Sequence, residues 1–399
     1  MWAGPGGPGG SRSLPQLRRG AGCAGWSLWL YGCTVLHVRH LGSDRQRFTG
    51  RGALSNPDGR FARQQVETVH DGWYEEATPE SLATTVLPEK AKHIITRNDS
   101  PDIGFEYSIN PYRGCEHGCI YCYARPSHAY MGLSSGIDFE TRLFYKEHAA
   151  QLLEQDLARP GYVCRPVMLG ANTDPYQPVE RQLRVTREVL TVLAATRHPV
   201  SVITKGTLIL RDLDLLTDLA RDSLVSVAIS ITTLDANTKR ALEPRTASGQ
   251  ARLRVLRELS AAGIPAGVMV APVVPAITDH EMEAIVAAAS EAGARWAGYV
   301  LLRLPYEIKD LFREWLAEHF PDRAAHVMAL IRGMREGRDN DPAFGSRMRG
   351  SGPMAELLRA RFALACRHHG LNAERRGRTQ PTQLFRAPAA RGPQLGFGF

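Results

Sequence analysis

The sequence predicts an α/β fold. Between about residues 105 and 304, short β-rich runs alternate with amphipathic segments, about six times in about 200 residues. The runs at Val200, Leu224 and Gly267 are nearly continuous in apolar residues, as strands of a parallel sheet covered on both faces must be. The segments between them carry the helical period. A doubly wound open sheet and a partial barrel fit this pattern equally. In either, ligands collect at the carboxyl ends of the strands.

The expected strands are Tyr107–Ile109, Val167–Gly170, Val200–Thr204, Leu224–Thr232, Gly267–Ala271 and Ala297–Leu302. Glu281–Ala292 is the clearest helix, with Met282, Ile285, Val286 and Ala289 on one face. Asp279 is its expected cap and Gly293 its stop. Ser248–Ala262 behaves alike and ends at Gly263. Beyond Pro305 the composition changes. Helices are expected over 310–318, where Pro321 is the stop, over 324–335 and over 356–368, with a Gly/Arg/Asp loop at 337–352.

These features divide the chain into a disordered or mis-started extension (1–50), a segment packing on the core (51–104) and the core (105–304). A helical C-terminal extension (305–375) and a disordered Arg/Gly/Pro-rich tail (376–399) follow. The apolar run 23–38 is too short to span a bilayer, which needs about 20 residues, and no small-residue cleavage site follows it. No membrane association is expected.

The net charge of +8 lies in the ends. Residues 1–63 carry +7 and residues 305–399 carry +6, which leaves −5 for the middle. The part with the chemistry is therefore acidic, against a polyanion-binding core.

Seven cysteines occur, at 23, 33, 115, 119, 122, 164 and 366. An odd count with one tight cluster argues against a disulfide framework and for thiolate ligands in a reducing compartment, the cytoplasm. The run Asn110-Pro-Tyr-Arg-Gly-Cys115-Glu-His-Gly-Cys119-Ile-Tyr-Cys122 follows the first strand directly. Three thiolates on one loop suit three irons of a cubane whose fourth iron has no protein ligand. Gly114 and Gly118 let the loop turn tightly. A zinc site completed by His117, His128 or Cys164 stays open on spacing alone.

This C-x3-C-x-aromatic-C pattern, with Tyr121 before the third cysteine, resembles the radical S-adenosylmethionine (SAM) superfamily. Ser108–Cys115 and Thr173–Glu180 are similar to the group related to spore photoproduct lyase. Within it, the Gly50–Ala53 stretch resembles the PA0069-type radical proteins. The resemblance implies a partial (β/α)6 TIM-like barrel with a helical C-terminal extension. It implies a radical enzyme, lyase- or transferase-like, holding a [4Fe–4S] cluster on Cys115, Cys119 and Cys122. That cluster reductively cleaves SAM to methionine and a 5′-deoxyadenosyl radical. An electron donor such as a flavodoxin or ferredoxin is implied too.

Residue by residue, the resemblance places the cofactor on strand ends. Tyr121 flanks the cluster, and Asn172, Thr173 and Asp174 meet the methionine amino group, for which a carboxylate or carbonyl is the natural acceptor. Thr204 and Lys205 end the third strand as further cofactor-binding candidates, and Ser230 and Thr232 end the fourth, where relatives hold the ribose. Arg245 offers a fork to the cofactor carboxylate, and Val270–Pro275 offers an apolar ledge for adenine. One position departs from the pattern: the hydrogen-donating cysteine of spore photoproduct lyase falls at Ala171, so the lyase reaction is not implied.

Two other readings compete. A nucleic-acid-binding or repair protein would use the basic C-terminal arginines, Arg347, Arg349, Arg359, Arg361, Arg375, Arg376 and Arg378. A structural metal-binding protein would keep the site without turnover. The substrate is not legible.

Overall fold

A computed structural model describes residues 50–61, 82–373 and 380–389. The first strands are β1 (Thr85–Glu89), β2 (Ile95–Arg97), β3 (Tyr107–Ile109), β4 (Tyr112–Arg113) and β5 (Arg142–Lys146). Helices α1 (Asp138–Thr141) and α2 (Ala149–Leu157) flank β5. Then come β6 (Val167–Leu169), α3 (Glu180–Leu183), α4 (Val185–Ala195), β7 (Val200–Thr204) and α5 (Leu213–Arg221). After β8 (Val225–Ser230) follow α6 (Ala236–Leu242), α7 (Gly249–Ala261), β9 (Ala266–Val273), α8 (Met282–Glu291) and β10 (Trp296–Leu301). Three helices close the sequence: α9 (Ile308–His319), α10 (Pro321–Gly333) and α11 (Gly352–His368).

One sheet has the order β10-β9-β8-β7-β6-β3-β2. The six strands from β3 to β10 are parallel and follow sequence order, while β2 pairs antiparallel with β3 at one edge. In sequential order, right-handed crossovers put the helices that connect these strands on one face and curl the sheet. The two edges, β2 and β10, do not pair, so this is a partial barrel. A second sheet, β1-β5-β4, sits outside it.

The apolar runs explain the strands. Val200, Val202, Val225, Val227, Ile229, Val268 and Val270 are all at most 2% exposed, inside one continuous core with Val189, Leu193, Leu256, Leu259, Ile285 and Val286 from the helices. A second core forms where the C-terminal helices meet the cysteine loop. There Trp315, Phe312 and Ile308 of α9 pack with Cys119, Ile120, Tyr121 and Leu242, and Trp315 Nε1 donates to Ala241 O at 3.0 Å. Burying one such aromatic contributes about 2–3 kcal/mol.

Several local expectations change. Asp279 does not cap α8; it lies in a 3₁₀ turn, and Glu281 occupies the N-cap without a side-chain bond. Glu281 instead accepts from Thr233 Oγ1 and from Leu234 N at 2.7 Å. Ser248 does cap α7, accepting from Ala251 N at 3.2 Å. Strand β9 continues through a cis Ala271–Pro272 bond to Val273 instead of ending at the proline. Pro321 opens α10 at its first turn, where a missing N–H costs nothing.

The tail expectation is corrected over 380–389. There Gln380 Nε2 donates to Val200 O at 2.8 Å and Leu224 O at 3.1 Å, and Arg386 N donates to Thr196 O at 2.9 Å. Phe385 packs on Tyr162 and His198. The segment straps the amino ends of β7 and β8, opposite the cysteines, because one aromatic finds an apolar slot there. Residues 1–49 of the expected extension 1–50, the apolar run within it and the rest of the tail (376–379 and 390–399) lie outside the described residues. Among those described, no helix is long and apolar enough to cross a membrane.

Candidate functional site

The cysteine loop leaves β4 and crosses the carboxyl ends of the parallel strands. Its turns are glycine turns: Gly114 has φ +73° and Gly118 has φ +66°. A Cβ on Gly114 would meet Leu143 Cδ2 at 2.7 Å and Phe139 O at 2.9 Å. Cys115 N donates to Phe139 O at 3.0 Å, Cys122 N to Cys119 O at 3.2 Å, and Ile120 N to Leu242 O at 3.1 Å. The loop is thus pinned on two sides before any cofactor is considered.

Below it lies an ion pair with no solvent exposure. Arg125 Nη2 bonds Glu140 Oε1 at 2.5 Å. The same guanidinium donates to Cys119 O at 2.9 Å, Gly118 O at 3.2 Å and Gly136 O at 2.9 Å. Glu140 also accepts from Gly52 N at 2.9 Å and Ala53 N at 2.8 Å. Arg51 Nη1 reaches Glu140 O at 2.9 Å. The Gly50–Ala53 stretch is therefore a plate under the cysteine loop, and a Cβ on Gly52 would sit 1.8 Å from Gly118 O.

Above the loop a second buried network ties strand ends together. Glu243 pairs with Arg252, and both are at most 1% exposed. Tyr121 Oη bonds Glu243 and lies 3.2 Å from Thr232 Oγ1, which is 2.7 Å from Glu243 Oε1. Arg252 Nη1 donates to Ser230 O at 2.8 Å. Burial pushes the Glu243 carboxyl up, but Arg252, Lys205 and the Tyr121 hydroxyl hold it down at about 2.

Asp174 is the third anchor. It accepts from Thr204 Oγ1 at 2.6 Å, Lys205 N at 2.7 Å and Tyr176 N at 2.9 Å, and His117 Nδ1 lies 3.3 Å away. Burial raises it, while His117, Thr204 and the Lys205 amide bring it to about 2. Thr173 Oγ1 donates to Tyr112 O at 2.7 Å, and Asn110 Oδ1 accepts from Asn172 N at 2.7 Å.

The structure therefore brings all the expected residues to one end of the sheet but divides them. Tyr121, Thr173, Asp174, Thr204 and Thr232 spend their polar atoms on the protein, and Ser230, 3% exposed, presents its carbonyl to Arg252. Asn172 and Arg245 are exposed and Lys205 half-buried. Lys205 Nζ stands 5.9 Å from the Tyr121 ring centroid, and Arg245 Nη2 is 3.2 Å from Glu116 Oε1. Sequence reasoning missed Arg125, Glu140, Arg252 and Gln177, whose amide bridges Glu116 N and Gly114 O at 2.9 and 3.2 Å. Only the glycines of 50–53 hinted at the plate.

The thiols suit a cluster. Cys115 and Cys119 are each 7% exposed, and the three thiols influence one another electrostatically. Burial raises all three, Cys119 to about 12. A nearby cation reverses that, since metal binding deprotonates a coordinating thiol outright. No set of three His, Cys, Asp or Glu side chains among the described residues converges as one ion's ligands would. Thiolates that each take a different iron need not converge so tightly. Neither histidine considered as a further ligand is idle: His117 faces Asp174, and His128 Nε2 lies 2.9 Å from Arg142 O. Cys164 precedes β6, at the opposite end of the strands, and Cys366 is buried on α11. Ala171 offers a carbonyl to Tyr123 Oη.

The comparisons agree with this architecture. A family model described as the radical SAM superfamily matches residues 109–289. An uncharacterised protein of Mycobacterium bovis is 38% identical over 230 residues, 57% of this chain and 68% of that protein. An uncharacterised protein of Methanocaldococcus jannaschii is 29% identical over 196 residues, 49% of this chain and 70% of that protein. Among solved structures, spore photoproduct lyase complexed with dinucleoside spore photoproduct superposes with a TM-score of 0.53 at 14% identity. It covers 71% of this chain and 79% of that one. A spore photoproduct lyase mutant with bound AdoMet and dinucleoside spore photoproduct also gives 0.53 at 14%. That likeness carries the partial-barrel fold. The chain belongs to the radical SAM superfamily: it is a radical enzyme whose cofactors are a [4Fe–4S] cluster and S-adenosylmethionine.

Proposed function

We propose that Cys115, Cys119 and Cys122 hold the cluster, and that the polar groups left open around them receive SAM. The carrying observation is the set of three thiols on one pinned loop, two of them buried and Cys122 partly exposed, at the carboxyl ends of six parallel strands. Bound there, the cluster and SAM supply a 5′-deoxyadenosyl radical. The protein supplies position and dryness. Arg125 and Glu140 fix the loop from below, and Glu243 and Arg252 fix it from the side. Asn172, Lys205 and Arg245 are the side chains with room to meet the cofactor's amino, ribose and carboxylate groups. Thr173, Asp174, Thr204, Ser230, Thr232 and Tyr121 set where those groups stand. Oxygen-sensitive chemistry of this kind suits the cytoplasm, with a flavodoxin or ferredoxin as donor.

Anaerobic reconstitution tests this. The expected result is about four irons per chain, 5′-deoxyadenosine on reduction, and loss of both on Cys→Ala at 115, 119 or 122. One zinc and no iron overturns it.

A nucleic-acid substrate is a second reading. The C-terminal arginines do not favour it: Arg347 is paired with Asp102, and Arg361 with Glu283. What favours it is an exposed group of rings at the rim, Phe61, Tyr130 and Tyr306, gathered around Arg60, whose Cζ is 3.8 Å from the Tyr306 centroid. Rings interleaved with arginine suit base stacking. Binding of a single-stranded oligonucleotide that weakens with salt supports it; no binding at low salt removes it.

A further inference from the structure

Arg303 follows the last parallel strand and is half-buried at the same end of the sheet as the cysteines. Its Cζ lies 5.9 Å from the ring centroid of Tyr123, the residue after Cys122. Tyr123 is 50% exposed, while its hydroxyl is fixed on the Ala171 carbonyl. The pair thus joins the first cysteine-bearing loop to the last strand end.

The guanidinium is under-used. Among the described residues, the buried Nε has no hydrogen-bond partner, and Nη1 has only the Met348 sulfur, at 3.8 Å. Asp102, whose charge reaches it, is already held at both oxygens by Arg347. Arg335 lies near and donates to two carbonyls, Leu302 O at 2.9 Å and Ser346 O at 3.0 Å. Burial, and then the charge of Arg347, lower Arg303; burial is the main cause that lowers Arg335 to about 10, with the charge of Arg303 adding to it. Three guanidiniums, Arg303, Arg335 and Arg347, stand there against two carboxylates, Asp102 on Arg347 and Asp341 near Arg335. A buried guanidinium N–H left unmade is costly, and the planar fork is matched by two oxygens of one anion.

We propose that Arg303, laid over the ring of Tyr123, is a subsite for an oxyanion of the substrate, a phosphate or a carboxylate. The proposal rests on the reading that the cysteine loop is the reaction centre. An oxyanion there closes the fork and neutralises the arginine group. The ring of Tyr123 leaves a flat apolar face for whatever carries the anion past the loop.

Thermal unfolding of the cluster-loaded full chain tests it under anaerobic conditions, at constant ionic strength kept with sodium chloride. The probes are inorganic phosphate and, separately, acetate. The wild type is expected to gain about 2 °C when a probe reaches ten times its dissociation constant. Arg303→Gln is expected to lose the gain. Arg303→Lys, which keeps the charge without the fork, is expected to keep part of it and serves if the Gln variant does not fold. A phosphate response identifies a phosphate-bearing substrate, and an acetate response a carboxylate. The response is expected to persist with saturating SAM. Its loss there assigns Arg303 to the cofactor's carboxylate and overturns the proposal, as does an equal response in the Gln variant or none in the wild type. The measurement needs no turnover, so its failure is separate from failure of the radical reading, which iron content and 5′-deoxyadenosine report.

Discussion

Arg347 grips both carboxylate oxygens of Asp102, Nε to Oδ2 at 2.6 Å and Nη2 to Oδ1 at 2.5 Å, across the open side of the sheet. Asp102 belongs to the β2–β3 connection at one edge. Arg347 belongs to the loop whose Met348 carbonyl accepts from Leu301 N of β10 at the other edge, at 3.0 Å. A barrel that does not close by strand pairing is therefore latched by an ion pair whose side chains are only 13% and 10% exposed.

Breaking that latch has a defined cost. Arg347→Ala or Asp102→Ala is expected to lower stability by about 2 kcal/mol, and a double-mutant cycle to show coupling. The Arg347 hydrogen bond holds Asp102 below its ordinary 3.8. A depressed carboxylate gives its stability above the unfolded value and loses it as pH falls through the folded one. The difference between wild type and Asp102→Asn should thus be constant at neutral pH and shrink only below about pH 4. Urea midpoints measure both effects, and additive single variants refute the latch.

Gly52 is the second test. Its Cβ position is 1.8 Å from Gly118 O, with backbone on both sides, so no rotamer change relieves the clash. Gly52→Ala should push the plate off the cysteine loop, at about 1–3 kcal/mol. Iron bound after reconstitution is expected to fall although all three cysteines remain. Full iron loading at wild-type stability contradicts the plate's role.

The buried pair beneath the loop is the third. Glu140→Gln leaves Arg125 charged and unpaired at zero exposure, which should cost about 3–5 kcal/mol. Arg125→Lys keeps the charge but cannot reach Glu140 and the carbonyls of Cys119, Gly118 and Gly136 together. It should fold less stably and hold the cluster loosely, seen as broadened features in the reduced cluster's EPR spectrum. An unchanged spectrum and urea midpoint for Arg125→Lys dismiss the fork as the needed shape.

What was legible follows from distance along the chain. Tyr107–Ile109 and Val200–Thr204 could be read because their apolar runs are local and covered on both faces. Arg142–Lys146 was not, since its five residues carry two charges and its sheet lies outside the main one. The cysteines were visible because their spacing sits within eight residues. Arg125 with Glu140, or Glu243 with Arg252, look like any surface pair until the fold buries them. For the same reason the partners of the strand-end hydroxyls were not legible: Thr204 and Thr232 stand in the expected place, and Asp174 and Glu243 bond them. Phe385 gave no signal within its Arg- and Pro-rich tail, because the slot it fills is made by Tyr162 and His198, far away in sequence.

That slot makes the fold sensitive to acid. His198 has no exposure, its Nδ1 is 3.0 Å from Pro199 O and its Nε2 is 2.8 Å from Tyr162 Oη. A carbonyl only accepts, so Nδ1 carries the proton and Nε2 accepts from the tyrosine: the ring is held neutral. Burial lowers it from 6.5 to about 4, and the same cause lowers His128 to about 4. Between those values the unfolded chain binds a proton that the native ring refuses. Stability is therefore lost as pH falls from about 6.5 to about 4, by about 3 kcal/mol for each histidine. His198→Gln cannot titrate, so its stability should fall less steeply over that window, by about one proton in the slope. Phe385→Ala opens the slot to water and should bring the wild-type loss closer to that of an exposed histidine, while lowering stability at pH 7 by about 2 kcal/mol. Urea midpoints at half-unit steps from pH 7 to 4 decide it: parallel curves for wild type and His198→Gln show that the ring is not what the acid attacks.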